Sequence, residues 1–219
     1  MLIAIDGPAG AGKSTVAQLI AQRLGLVYIN TGAMYRGTAW LANKHNLSLT
    51  LHIREITELA ARVRFELKDN SKQVLLDNED VTSQIREPEI AKMASVVAQS
   101  PELRHILVHL QRELAHRSDR GAVLDGRDIG TDVLPDADMK VYLEASPSER
   151  AKRRHKEQMD KGCSAQTYEE VLKDIVERDE QDLNRKVSPL RKAPDAIVIN
   201  TDKLSIEDVI HQVVKLLHK

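Results

Sequence analysis

In LIAIDGPAGAGKS (residues 2–14) a short apolar run gives way to glycines, then to a lysine and a hydroxyl. Leu2 to Ile5 has the unbroken apolar character of a strand buried on both faces. Gly7-Pro8-Ala9-Gly10-Ala11-Gly12-Lys13-Ser14 then fits the pattern G-x-x-x-x-G-K-[ST]. From Lys13 to Leu24 the residues Val16, Leu19, Ile20 and Leu24 recur at helical spacing, and Gly25 is placed to end the helix. Leu26 to Ile29 is a second apolar strand. Strand, glycine loop, helix and strand in so short a span form a βαβ unit, which demands a parallel sheet with helical crossovers.

The loop has a physical reading. Glycines let backbone N–H groups turn inward around a triphosphate, and the helix N-terminus adds its positive end. Lys13 is placed to reach the β- and γ-phosphates, and the Ser14 hydroxyl to ligate Mg²⁺ carried with ATP. Gly7 to Ser14, with Thr15, are therefore the expected ATP ligands, with Lys13 also catalytic.

Composition narrows the class further. Lys plus Arg number 32 and Asp plus Glu 33 in 219 residues, a net charge of -1 that argues against a dedicated nucleic-acid binder. The single cysteine, Cys163, leaves no intrachain disulfide to form, and no apolar run approaches the length of a membrane span. A cytoplasmic protein without a signal segment, and a monomer, is the expectation.

Further along, Ala122 to Leu124 and Met139 to Leu143 read as buried strands, and Ala196 to Ile199 as a last one before a helix that Ser205 and Asp208 can cap. Val63 to Val81 breaks the pattern: Val63, Phe65 and Leu67 alternate with polar residues, and Asp69-Asn70-Ser71 marks a turn before Val74 to Leu76. That is an inserted antiparallel hairpin. Ser100 and Pro101 open a helix to about Ser118. Pro147 to Asn184 reads as two charged helices broken near Gly162, the first carrying Arg150, Lys152, Arg153, Arg154 and Lys156.

Three uses of such a loop compete. A GTPase switch should read guanine with N-K-x-D, yet Asn43-Lys44-His45-Asn46 ends in Asn. A nucleic-acid motor calls for a basic track. A small-molecule kinase needs a second pocket, rich in arginine if the acceptor is itself a phosphate. Arg36, Arg127, Arg178 and Arg185 are candidates, and the spacing of Arg178, Asp182 and Arg185 predicts one shared helical face.

Taken in order, GPAGAGKST, NTGAMYR, LDGRDIGTDVLPDA and ERDEQDLNRKVSPL resemble bacterial cytidylate kinases of the nucleoside monophosphate kinase superfamily, over nearly the whole chain. The resemblance implies an α/β P-loop kinase with a five-stranded parallel sheet flanked by helices. It implies one domain over 1–219, an acceptor-nucleotide region at about 31–118 with a β insert at about 63–82, and a helical lid at about 150–168. It further implies that Arg36 and Arg127 grip the phosphate of CMP or dCMP near Thr31, and that Ser95, Arg104 and Asp128 face the cytosine edge. Asp125 ends the third core strand in the same acceptor set, with Arg178, Asp182 and Arg185 at the ribose and phosphates. Arg127 and Arg178 are expected to act as catalytic cations, and Arg153, also expected to be catalytic, and Arg154 in the lid are candidates to close over the ATP phosphates, stabilise the transition state and exclude water. Asn30 stands where the family more often has Asp and is left outside this set.

Overall fold

The computed structural model describes residues 1–160 and 166–217. In chain order the elements are β1 (Leu2–Asp6), α1 (Lys13–Leu24), β2 (Val27–Asn30), α2 (Thr31–Lys44), α3 (Ile53–Arg62), β3 (Phe65–Lys68), β4 (Gln73–Leu76) and β5 (Glu79–Asp80). There follow α4 (Pro88–Val97), α5 (Pro101–His116), β6 (Ala122–Gly126), β7 (Met139–Glu144), α6 (Pro147–Asp160), α7 (Tyr168–Asn184), β8 (Ile197–Asn200) and α8 (Ile206–Leu217). A five-stranded parallel sheet has the order β2-β6-β1-β7-β8, and a separate antiparallel sheet the order β3-β4-β5. The α/β class and both sheets agree with the sequence. The expected break near Gly162, and Cys163, lie outside the described residues.

The chain divides into two compact units, Met1–Ile20 with Asp125–Lys219, and Ala21–Leu124. In the first, β1 lies parallel to β7 with Ile3 opposite Met139 and Asp6 opposite Tyr142. The unbroken apolar runs are explained by burial: Ile3, Ile5, Val141 and Leu143 are inaccessible to solvent. β8, last in the order, pairs with β7 and leaves Ile197 and Val198 partly exposed. α6 packs on α7 through Ala151, Val171 and Ile175. α7 begins in a capping box, the Thr167 hydroxyl accepting from Glu170 N–H while the Glu170 carboxylate accepts from Thr167 N–H. The expected box at Ser205 and Asp208 is present before α8, with Asp208 N–H donating to Ser205 Oγ and Ser205 N–H to Asp208 Oδ2.

In the second unit α2 is the central helix, packed on α4. Asn30 caps it, its Oδ1 accepting from Ala33 N–H at 2.9 Å. Gly37 on this helix has a packing reason. A Cβ there would lie 2.9 Å from the Phe65 ring and 3.4 Å from Leu76, so only hydrogen lets β3 and β4 close on the helix. The hairpin turn falls at Asp69, Asn70 and Ser71, all three at positive φ. Ser71 Oγ donates to Tyr28 O at 2.8 Å and accepts from Asn30 N–H at 3.1 Å, while Asn70 Oδ1 accepts from Tyr28 N–H. The turn thus supplies partners to the backbone of β2.

Candidate active site

The loop between β1 and α1 is shaped by its glycines. Gly7 sits at φ +147°, and a Cβ there would fall 2.2 Å from the Leu143 carbonyl oxygen. Gly10, at φ +78°, would place a Cβ 3.2 Å from Cβ of Arg150. Gly7 therefore excludes any larger residue, and a side chain at Gly10 would be strained by its positive φ. Lys13 opens α1, is only 5% exposed, and donates from Nζ to the Pro8 carbonyl at 2.7 Å. Burial, and then the charge of Arg127, pulls its pKa well below the ordinary lysine value against the opposing pull of Asp125 and Asp182. Burial and Arg127 therefore work against the charged form of Lys13, and the nearby carboxylates favour it.

Ser14 Oγ donates to Asp125 Oδ2 at 2.7 Å, joining the helix start to the end of β6. A hydroxyl beside a carboxylate is a hard-oxygen pair of the kind Mg²⁺ takes. Among the described residues no group of three or more His, Cys, Asp or Glu could hold a metal alone. Asp125, expected in the acceptor set, accepts here from the Ser14 hydroxyl.

Asp6, at the end of β1, accepts from Ile129 N–H at 2.8 Å with Oδ1 and from Gly130 N–H at 2.7 Å with Oδ2. These two N–H groups open a π-helical turn, Ile129–Val133, whose N-cap is Asp128. Such turns are frequent at functional sites. Burial pushes the Asp6 carboxyl up to about 6, with Asp128 adding to the rise, while the two backbone donors and Lys13 oppose it. Sequence reasoning passed over Asp6. Its position between a buried strand and a glycine loop, where an apolar residue would be ordinary, is the signal that could have marked it.

Around this turn the expected acceptor residues of the first unit come together. Arg127 Nε donates to Asp182 Oδ2 at 2.7 Å and Nη1 to Gly126 O at 3.3 Å. Burial works against the Arg127 charge, but Asp182, with Asp125 and Asp179, outweighs it and raises the pKa. Burial likewise penalises the Asp182 carboxylate, yet Arg127, Arg178 and Arg185 hold it below the ordinary value. Arg185 Nη2 donates to Asp128 Oδ1 at 3.4 Å. One expectation is corrected: Arg185 does not share a helical face with Arg178 and Asp182. α7 ends at Asn184, and Arg185 is its extended C-cap with ψ 141°. Ser188 at positive φ and Pro189 cannot continue a helix, and Arg185 Nε instead closes on the Ser188 carbonyl.

The basic helix α6 divides by environment. Arg150 is 2% exposed and spends its guanidinium on Ala145 O, Ala9 O and Asp179 Oδ2. Arg153 donates to Glu149 Oε1, Thr201 Oγ1 and Thr201 O. Arg154 is exposed. The basic run therefore contains a buried anchor, and sequence spacing carries no mark of which arginine it is.

In the second unit Arg104 on α5 is buried, donates to Ala98 O and stands 5.5 Å from the Tyr35 ring centroid. Ser95 on α4 donates from Oγ to Ala91 O at 3.5 Å. Thr31 and Arg36 lie in the first turns of α2, and a Cβ at Gly32 would meet Arg36 Nη1 at 3.1 Å.

A glycine loop on a parallel α/β sheet, with buried lysine, hydroxyl–carboxylate pair and an arginine cluster beside it, defines a phosphate-handling site of the P-loop kinase kind. The family model described as cytidylate kinase matches residues 3–219. A cytidylate kinase of Caldicellulosiruptor bescii is 47% identical over 99% of this chain and 95% of its own length. One of Bacillus velezensis is 46% identical over 99% of this chain and 96% of its own. A solved structure of an uncharacterized protein from Eubacterium ventriosum shares the fold, with a TM-score of 0.54 at 11% identity over 100% of this chain and 99% of that one. This chain belongs to the cytidylate kinase family.

Proposed function

We infer that the protein transfers the γ-phosphoryl group of ATP to CMP or dCMP, giving ADP and CDP or dCDP. One observation carries the reading beyond family membership. Near the loop lysine the first unit holds Arg127 and Asp182, with Arg178 and Arg185 acting on the same Asp182, a cluster of arginines suited to a second phosphate. A bare hydrolase has no use for that second set.

The acceptor oxygen belongs to a phosphate monoester mostly ionised at neutral pH, so no strong general base is required. It forms a bond to the γ-phosphorus as the β–γ bridging P–O bond breaks in line, and the electron pair leaves on ADP. Lys13 and the loop N–H groups receive charge on the donor side, Arg127 and Arg178 on the acceptor side. Ser14 and Asp125 would hold Mg²⁺, which when bound would supply charge neutralisation to the ATP phosphates. Arg153 and Arg154 serve the ATP phosphates, Arg153 by exchanging Thr201 for phosphate oxygens. Thr31, Arg36 and Arg185 serve the acceptor's phosphate and ribose. Asp128 accepts from the cytosine amine, and Arg104 and Ser95 donate to its ring acceptors. A uracil carbonyl facing Asp128 would lose that bond, which supports discrimination. The proposed enzyme is a cytoplasmic monomer; among the described residues no helix is long and apolar enough to cross a membrane.

The test mixes the purified protein with Mg-ATP and follows ADP formation with CMP, dCMP, UMP, AMP or no acceptor. ADP formed fast with CMP and dCMP, and slowly without acceptor, is the expected result. Fast turnover with UMP or AMP instead would overturn the assigned base contacts, and equal slow release in every tube would overturn phosphoryl transfer.

A further inference from the structure

Arg150 sits in a run of basic residues yet is one of the most buried charges of the molecule. Its three donor positions run in three directions. Nε donates to Ala145 O at 2.9 Å, at the end of the β7 segment; Nη1 donates to Ala9 O at 2.9 Å, inside the phosphate loop. Nη2 donates to Asp179 Oδ2 at 2.6 Å, on α7. The planar fork of a guanidinium spreads its donors over three nitrogens and so reaches three such partners at once, whereas the donors of a lysine all sit on one nitrogen. Gly10 lets the arginine in, because a Cβ at that residue would press on the Arg150 stem.

The partners matter more than the burial. Ala9 belongs to the loop that holds the donor phosphates in the proposed reaction. Asp179 directly follows Arg178 and lies three residues before Asp182, which holds Arg127. A short continuous path therefore runs from loop carbonyl to guanidinium, to α7, to the acceptor-side arginine. A carboxylate placed only to neutralise Arg150 need not be on the acceptor helix, and an anchor for α6 need not reach the loop.

We propose that Arg150 is a positioning residue that couples the two substrate subsites of the first unit. It sets the phosphate loop and helix α7 in one arrangement, so that filling one subsite favours the arrangement the other requires. The inference rests on the kinase reading above. Coupling of this kind is reciprocal: CMP tightens ATP binding by the factor by which ATP tightens CMP binding.

The experiment measures the Kd of a non-hydrolysable ATP analogue with Mg²⁺, without and with saturating CMP. It is run on the unaltered full chain and on Arg150→Lys, Asp179→Asn and the double variant, each checked for melting temperature. CMP should tighten analogue binding about fivefold or more in the unaltered protein, the lower range of measured couplings. That factor should fall to near one in Arg150→Lys and in Asp179→Asn, with no further fall in the double variant, as expected for residues acting through one contact. A role confined to stability would lower the melting temperature and leave the factor intact. Asp179→Asn keeps shape and a hydrogen-bonding side chain, so it reads the contact even if Arg150→Lys does not fold. A folded variant that keeps the full factor, or an unaltered protein with rapid CMP phosphorylation and no coupling, overturns the inference while leaving the kinase reading in place. Absence of CMP-dependent ADP formation in the unaltered protein would instead overturn that reading.

Discussion

Three ion pairs taken from each unit of the chain differ in burial. In the first, Arg127–Asp182, Arg150–Asp179 and Arg185–Asp128 have side chains that are 18% exposed or less at both ends. In the second, Arg54–Glu58, Arg64–Glu66 and Lys44–Glu79 have their basic side chains in solvent, Arg54 being 90% exposed. Taking an ion from water costs several kcal/mol after relaxation, and a hydrophobic pair of similar volume is often more stable. Buried pairs therefore persist where something other than stability is gained. In the second unit the buried cation Arg104 is the exception, and it falls on one of the positions proposed to read the base. Ion pairs of similar length thus carry opposite expectations, and burial tells them apart.

The contrast can be broken most directly at Lys13. Replacing it with Met should lower the turnover number about 10²–10³-fold, the range for loss of one preorganised donor at developing charge. The same change removes a buried ammonium, so the melting temperature should rise or hold. A fall in melting temperature would mean that the lysine contributes to stability and that the first unit's charges are ordinary scaffolding. Calorimetry beside a rate assay decides it.

Asp182→Ala should be costly in a different way. It leaves the largely buried Arg127 without its carboxylate, and removal of one partner from such a pair costs about 3 kcal/mol. Urea unfolding should show the loss as a shifted midpoint with an unchanged slope. A loss well under 1 kcal/mol would place this pair with those of the surface.

Asp6 sharpens the comparison through pH. Its carboxyl is raised to about 6 in the folded protein from an ordinary 3.8, so the folded state binds the proton more tightly than the unfolded one. Its contribution to stability is full below pH 4 and is lost as pH rises through 6, by about 3 kcal/mol in total. Relative to Asp6→Asn, the unaltered protein should therefore gain stability as pH falls from 6 to 4. A stability difference that is flat across that window would show that the two backbone donors offset the burial. The smallest effect belongs to the second unit: Arg54→Ala should move the melting temperature by no more than about 1 °C.

The loop, the five parallel strands and the inserted hairpin were legible because each leaves a mark in spacing. Gly7 stands where close approach leaves no room for a side chain and Gly10 where a positive φ disfavours one, and the apolar runs of β1, β6 and β7 reflect burial on both faces. Arg150 was not legible, since Arg150, Arg153 and Arg154 are chemically alike and only the packed fold decides which one enters the loop. Arg185 was misread because its spacing from Arg178 presumes a helix that Ser188 and Pro189 bring to an end. Asp6 escaped notice because its two partners, Ile129 N–H and Gly130 N–H, are backbone groups far away in sequence.

The turn at Asn70 and Ser71 has a consequence for how the protein behaves in crowded solution. β2 ends the order of its sheet, and an outermost strand with free N–H and C=O groups is a template for pairing with another chain. Asn70 and Ser71 occupy groups of Tyr28 and Asn30 on that strand, so the hairpin acts as a cover against edge-to-edge aggregation. Shortening it to a tight loop would leave the catalytic loop of the first unit untouched in sequence, yet expose a strand that other copies could extend.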